Sequence, residues 1–294
     1  IRNTSPAQFR AEFECEFLGS VLTLVNPAKL KSMAYVKPIQ ERNDGLKIYE
    51  EPKEGHMYFM GVDVSRGKEI DYHATTIIDM TETPYRVVAQ YRNNDIPPFL
   101  LPNMLYPMAK RYNDAYMMIE INDIGQEISD ILHNEMEYEN LLTTSVRGRK
   151  GQVMDGGFGN FDTQRGIRMS PKVKRVGCAM LKELIENDKV IIEDYHIINE
   201  LASFVSKKQS YEAEVGHHDD LVTTLILFAW SSPQPYFKDL TDINIRDKLY
   251  KQKIEKLEEE LMPFGFLSDA VEEETRFTDS EGTVWNVVDD EPRL

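Results

Sequence analysis

Three acidic positions, far apart along the chain, are each presented by an apolar element. Asp63 closes the run Met57-Tyr58-Phe59-Met60-Gly61-Val62, and Glu120 closes Tyr116-Met117-Met118-Ile119. Asp219 and Asp220 open the apolar stretch from Leu221 to Trp230. A carboxylate set among buried apolar side chains is costly unless something positive pairs with it. Carboxylate oxygens suit hard cations such as Mg²⁺ and Mn²⁺. Acids shared between two such ions, about 3.5–4 Å apart, are what metal-assisted phosphodiester hydrolysis needs. One acid on a central strand, one at the end of a neighbouring strand and one at a helix start can converge at one edge of a sheet. Asp63, Glu120 and Asp219 or Asp220 are therefore expected to hold divalent metal, two ions of Mg²⁺ or Mn²⁺.

Each of these residues also has a plainer reading. Asp219 alone is an ordinary helix cap or surface acid. That alternative is weaker for Asp63, which has apolar flanks and the turn Ser65-Arg66-Gly67-Lys68 close by. Asp71 is a candidate further ligand of metal or water, against the role of a turn acid before the next strand. His217 and His218 precede the acid pair, where one of them could assist a leaving group or orient the metal shell. Plain loop histidines are the alternative. Zinc is a poor fit, because no Cys partner stands at zinc-site spacing.

A second chemistry-bearing segment is basic. Arg147, Arg149 and Lys150, then Arg165, Arg168, Lys172, Lys174 and Arg175, flank a stretch that is rich in glycine. A negative metal site whose substrate is a polyanion needs a positive track beside it. The ordinary alternative is a solvated face. The coincidence with a glycine-rich loop favours DNA, contacted through the backbone rather than through base edges. No interleaved aromatic residues of the single-strand stacking kind are present. Neither a G-x-x-x-x-G-K-[ST] loop nor a dinucleotide glycine fingerprint occurs, so no ATPase activity is expected of this chain.

The elements that must position these residues follow from periodicity. Strands are expected near 57–64, 73–80, 85–92, 115–120 and 140–146, with helices at 98–113 and 122–138 between them. The interval 147–169 holds six glycines and five Arg or Lys residues and suits an exposed hairpin or loop. A helix at 171–187, a strand at 189–192, a helix from 195, strands at 203–207 and 210–214, and a helix at 218–231 complete the order. That order predicts an α/β fold with a mixed central sheet and helices on both faces. Further helices are expected at 5–18, 26–33 and 243–261, with 37–55 rich in loops. The expected division is 1–55 as a linker, 56–235 as the catalytic domain and 236–294 as a helical, then acidic and mobile tail.

The formal charge of −16 over 294 residues is unevenly spread. Residues 239–294 carry 16 acidic and 7 basic side chains, so −9 of the total lies there. Net acidity therefore does not exclude nucleic acid, since the local field decides. The two cysteines, Cys15 and Cys178, have no disulfide or metal spacing and read as small buried apolar residues. No apolar run approaches membrane-spanning length, so no membrane partner is expected. The chain starts without Met inside an amphipathic pattern, which is expected of a segment of a longer protein.

In combination, several of these residues resemble a known family. Gly61-Val62-Asp63, the turn at Gly67, Asp71-Tyr72-His73, Glu120 and Gly216-His217-His218-Asp219-Asp220-Leu221-Val222 are similar to the nuclease domain of large terminase subunits of tailed bacteriophages, with the T-even-like group most similar. The segment Phe9-Arg10-Ala11-Glu12-Phe13-Glu14-Cys15-Glu16-Phe17 resembles the stretch by which such proteins leave their ATPase domain. The likeness spans residues 1–232 or so, and each motif alone is weak. It implies a ribonuclease H-like fold and an endonuclease that cuts concatemeric viral double-stranded DNA at the start and end of packaging. It also implies an N-terminal ATPase domain that drives translocation, a portal protein and a small terminase subunit as partners. The implied location is the host cytoplasm, transiently on the procapsid portal and not in the mature virion. By the same resemblance Asp63, Glu120 and one of Asp219 or Asp220 are the catalytic metal ligands, with Asp219 preferred and Asp220 assisting. Competing expectations are a Holliday-junction resolvase or transposase-like nuclease of the same fold, and a DNA- or portal-docking module without catalysis.

Overall fold

Strands rich in β-branched and aromatic residues form the centre of the structure, a computed structural model. It describes residues 22–65, 71–148, 151–156, 163–207 and 210–242, and the backbone of two short strands beyond them. The expected helices at 5–18 and 243–261 lie outside the described residues. Two units are distinguishable, Ile1–Ile245 and Arg246–Leu294.

In the first unit, helix α1 (Pro27–Ser32) and strands β1 (Gln40–Glu41) and β2 (Leu46–Ile48) precede three longer strands. These are β3 (Tyr58–Asp63), β4 (His73–Asp79) and β5 (Tyr85–Asn93), which pair antiparallel in sequence order. Helix α2 (Pro102–Arg111) leads to β6 (Tyr116–Ile119), which lies parallel to β3. Helix α3 (Gly125–Asn134) then leads to a small sheet of β7 (Thr143–Val146), β8 (Gln152–Asp155) and β9 (Thr163–Arg165). Helix α4 (Pro171–Glu186), β10 (Val190–Ile191), α5 (Tyr195–Ser203), the hairpin β11 (Phe204–Lys207) and β12 (Ser210–Ala213), and α6 (Asp220–Ser231) close the unit. The main sheet runs β1-β2-β5-β4-β3-β6, and β10 adds to β5. The stretch 37–55, expected as loop, thus supplies two strands of the sheet. Its Asp44-Gly45 turn is a hairpin signal too short to stand out beside the prolines around it.

Alternation along the strands sends side chains to two cores. Tyr58, Met60 and Val62 pack in the cluster that includes Leu105 of α2 and Ile128 of α3. Phe59 packs in the other cluster, with Leu181 of α4, Leu201 of α5 and Phe228 of α6. On β6, Met117 and Ile119 face the first cluster and Met118 the second. The period of two then places Asp63 and Glu120 on the α6 side of the sheet, at the carboxyl ends of adjacent strands. The register Val62↔Ile119 makes them neighbours, and the Glu120 amide donates to the Val62 carbonyl at 2.9 Å.

Helix α6 lies close on this face because two glycines allow it. A Cβ at Gly61 would meet the Thr224 carbonyl oxygen at 2.7 Å, and one at Gly177 the Ile226 carbonyl oxygen at 2.9 Å. The hydroxyls of Thr76 and Thr224 share a buried hydrogen bond of 2.8 Å. Phe237 belongs to the same core, against Phe59 and Phe228, although it lies in the stretch expected to begin the tail. In the second unit, β13 (Arg276–Thr278) and β14 (Val284–Asn286) pair antiparallel, with Phe277 opposite Trp285, inside the stretch expected as the acidic, mobile tail.

Candidate metal centre

The start of α6 brings the third acidic position to Asp63 and Glu120. Asp219 is the N-cap residue and Asp220 the first residue of the helix, where the helix dipole favours negative charge. Asp63, Glu120, Asp219 and Asp220 are all half-buried. Burial pushes the Asp63 carboxyl well above the usual range, and the charges of Glu120, Asp220, Asp219 and Glu200 push it further. Burial raises Glu120 to about 7, although Lys174 pulls it down, and Asp219 adds to the rise. Asp220 is raised to about 6 by burial, against the Tyr72 amide and Arg92, which favour its charged form. Asp63 thus feels the charges of the other three acids, and that of Asp219 is felt by Glu120 and Asp220 as well. Among the described residues, no three His, Cys, Asp or Glu side chains stand close enough for one ion to touch them all. The donor set of the four acids, oxygen only and short of positive charge, fits a hard divalent cation.

Tyr72, Arg92 and Glu200 support the acid pair. The Tyr72 amide donates to Asp220 Oδ2 at 3.3 Å. Glu200 is 3 % exposed and accepts from the amides of Leu221 and Val222 at 2.8 and 3.1 Å, which pins the first turn of α6. Arg92 stacks on the Tyr72 ring at 3.7 Å and stands 3.6 Å from Glu200 Oε1. Burial raises Glu200 to about 8, against the pull of Arg92. Sequence reasoning missed this support. The available signal was an acid inside the apolar helix Tyr195–Ser203, the same anomaly that marks Asp63.

The other expected site residues separate into groups. Asp71 is exposed, and its charge is felt by Asp220. His218 Nδ1 is 3.6 Å from Asp220 Oδ2, and its ring meets Tyr72 edge-on at 5.0 Å. His217 is exposed, in a turn whose amide bonds the Glu214 carbonyl. Behind Asp63, the Ser65 amide donates to His73 Nδ1 at 3.2 Å, while His73 Nε2–H donates to the Ile96 carbonyl at 3.0 Å.

Of the basic residues, Arg147 pairs with Asp155 at 2.7 Å, and Arg165 is half-buried on β9. Arg168, Lys172 and Arg175 are exposed. Lys174 turns to the acids, with Nζ 3.6 Å from Asp219 Oδ2. Arg149 and Lys150 lie outside the described residues.

A family model described as "Terminase RNaseH-like domain" matches residues 60–228, which include most of β3, all of β6, most of α6 and all four acids. Among solved structures, the chain is similar to the large terminase nuclease from thermophilic phage G20c with bound magnesium. The TM-score is 0.53 at 19% identity, over 72% of this chain and 98% of that one. The same nuclease with bound cobalt matches with the same values. These likenesses extend the shared fold beyond the residues that the family model matches.

Proposed function

The chain belongs to the terminase RNaseH-like domain family, and from that premise we propose that it is a metal-dependent endonuclease that cuts concatemeric viral double-stranded DNA during genome packaging. One observation carries the reading. Asp63 and Glu120 end adjacent parallel strands on the face where α6 presents Asp219 and Asp220. No helix among the described residues is long and apolar enough to cross a membrane. The proposed setting is the host cytoplasm and, transiently, the portal of the procapsid. There the chain would work with an ATPase domain, a portal protein and a small terminase subunit.

Asp63, Glu120 and Asp219 or Asp220 would hold the metal, two ions of Mg²⁺ or Mn²⁺. Bound there, the metal supplies a nucleophilic water and neutralises charge on the scissile phosphate. The chain's own residues do the rest. The Tyr72 amide orients the Asp220 carboxylate, and Glu200 fixes the helix turn that carries it. His218 lies beside Asp220 as a further polar contact, and Asp71 adds its charge to the surroundings. Arg168, Lys172 and Arg175 are exposed to hold duplex backbone. A plasmid-nicking assay with Mg²⁺, Mn²⁺ or EDTA tests the reading: nicking with either metal and none in EDTA is expected. Nicking that persists in EDTA, or is absent with both metals, would overturn it.

Metal binding should depend on pH. Glu120 at about 7 and Asp220 at about 6 still hold protons in mild acid, and these must leave when metal binds. The rise in melting temperature that Mn²⁺ gives should therefore grow from about pH 5.5 to about pH 8. Without metal the sign reverses. Raised carboxylates favour the folded state below their unfolded pKa, and that contribution is lost as pH rises through about 6–7. Equal Mn²⁺ shifts at both ends of this window would contradict the assignment of these acids.

Duplex binding should be governed by charge. Replacing Arg168, Lys172 and Arg175 together by Ala is expected to weaken all sequences alike. It should also flatten the plot of log affinity against log salt by about one unit per lost phosphate contact. Unchanged affinity and slope in filter binding would move the track to the 147–150 segment.

A further inference from the structure

Lys174 is the one basic residue of the 165–175 segment that pairs with a candidate metal ligand among the described residues. It lies one turn into α4, which starts at the Ser170 cap. Its ammonium is 3.6 Å from Asp219 Oδ2, and the two side chains are 22% and 29% exposed. The same ammonium lies 5.6 Å from the Phe204 ring, so an aromatic wall limits where it can go. Helix spacing fixes the rest. Gly177 lets α4 approach α6 closely, and Lys174 and Asp219 each lie near the start of one of these helices. The charge of Lys174 also reaches Glu120, whose pKa it draws down. A positive group thus stands where two of the acids face each other.

We infer that Lys174 is a tethered counter-cation of the metal centre, which a divalent ion entering beside Glu120 and Asp219 has to displace. The inference rests on the divalent-metal reading of the acids. A fixed ammonium and a free divalent ion compete for the same carboxylate oxygens, so the side chain lowers metal affinity. A duplex phosphate at the site would give the displaced ammonium a new partner. Metal and DNA would then each promote the other's binding, by one and the same factor.

The test is Mn²⁺ binding to the 294-residue chain without DNA, by calorimetry and by the metal-induced rise in melting temperature. Lys174→Met keeps the length of the stem against Phe204 and removes the charge. It is expected to bind Mn²⁺ about tenfold more tightly than the parent, within the usual range of coupling between sites. Lys174→Arg should bind as the parent does, and so should Lys182→Met, whose side chain pairs with Glu186 further along α4. In an Asp219→Asn background the gain from Lys174→Met should shrink to about twofold or less, because the partner is gone. Lys174→Gln serves if the Met variant does not fold. Equal or weaker binding by the neutral variants would overturn the inference, as would a gain that persists undiminished with Asp219→Asn. A parent chain that shows no Mn²⁺ response sinks the metal reading itself. A responding parent whose curve the neutral variants superimpose on sinks only the role of Lys174.

Discussion

Asp63→Asn is expected to abolish cutting while leaving the melting temperature at or above that of the parent. Asp63 faces Glu120, Asp219 and Asp220, and its carboxyl is raised by burial and by their charges. Losing this oxygen donor should cost more than the roughly 10–100-fold typical of groups that only orient a ligand. The stability expectation has the opposite sign to ordinary loss of a polar contact. Burial and the neighbouring carboxylates disfavour the charged form of Asp63, and the neutral amide removes the charge that they oppose. Supercoiled-plasmid nicking and a thermal melt of the same preparation check both halves. A variant that nicks at the parent rate would remove Asp63 from the site. One that unfolds would show that the carboxylate holds the end of β3 together.

Gly61→Ala is expected to lower both stability and cutting through a single methyl group. The added Cβ would stand 2.7 Å from the Thr224 carbonyl oxygen and 3.2 Å from its Cβ. Both obstacles belong to α6, and one is backbone, so no flexible side chain can swing aside. Overpacking of this kind costs ~1–3 kcal/mol. For a domain of this size that is a fall of about 2–4 °C in melting temperature for each kcal/mol. The helix has to lift from β3 to relieve the clash, and it carries Asp219 and Asp220 with it. Cutting should therefore fall even at temperatures where the variant is fully folded, a deficit visible as a lower rate at saturating metal. Parent-like melting and rate would show that α6 yields at no cost.

Much of this architecture was legible in the sequence because its signals are local. Met57–Val62 and Tyr116–Ile119 are apolar runs of strand length, and each ends in an acid whose cost asks for a purpose. Ser170-Pro171 marks a helix start by ordinary capping chemistry, and Asp219-Asp220 marks another by acidic residues at its first turn. The expected strands at 57–64 and 85–92 match Tyr58–Asp63 and Tyr85–Asn93 within two residues. What could not be read depends on partners far along the chain. The exposure of Lys172 and Arg175, and the inward turn of Lys174, depend on which side of α4 meets α6, while the segment's composition treats all three alike. Glu200 differs from a surface glutamate through the amides of Leu221 and Val222, 21 and 22 residues on, and through Arg92, none of which its own segment announces. Arg92 ends a strand like many solvated arginines, and only the fold puts Tyr72 under its guanidinium.

The hydrogen bond between Thr76 and Thr224 joins residues 148 apart in sequence. The antiparallel strands β3 to β5, by contrast, are neighbours along the chain and can pair early, because short loops close at small entropic cost. As the polypeptide leaves the ribosome, Asp63 and Glu120 are therefore placed long before the helix that carries Asp219 and Asp220 has been synthesised. A nascent or truncated chain can own a finished sheet and still lack the last acids. The acids of α6 are thus the last of the four candidate ligands to be synthesised.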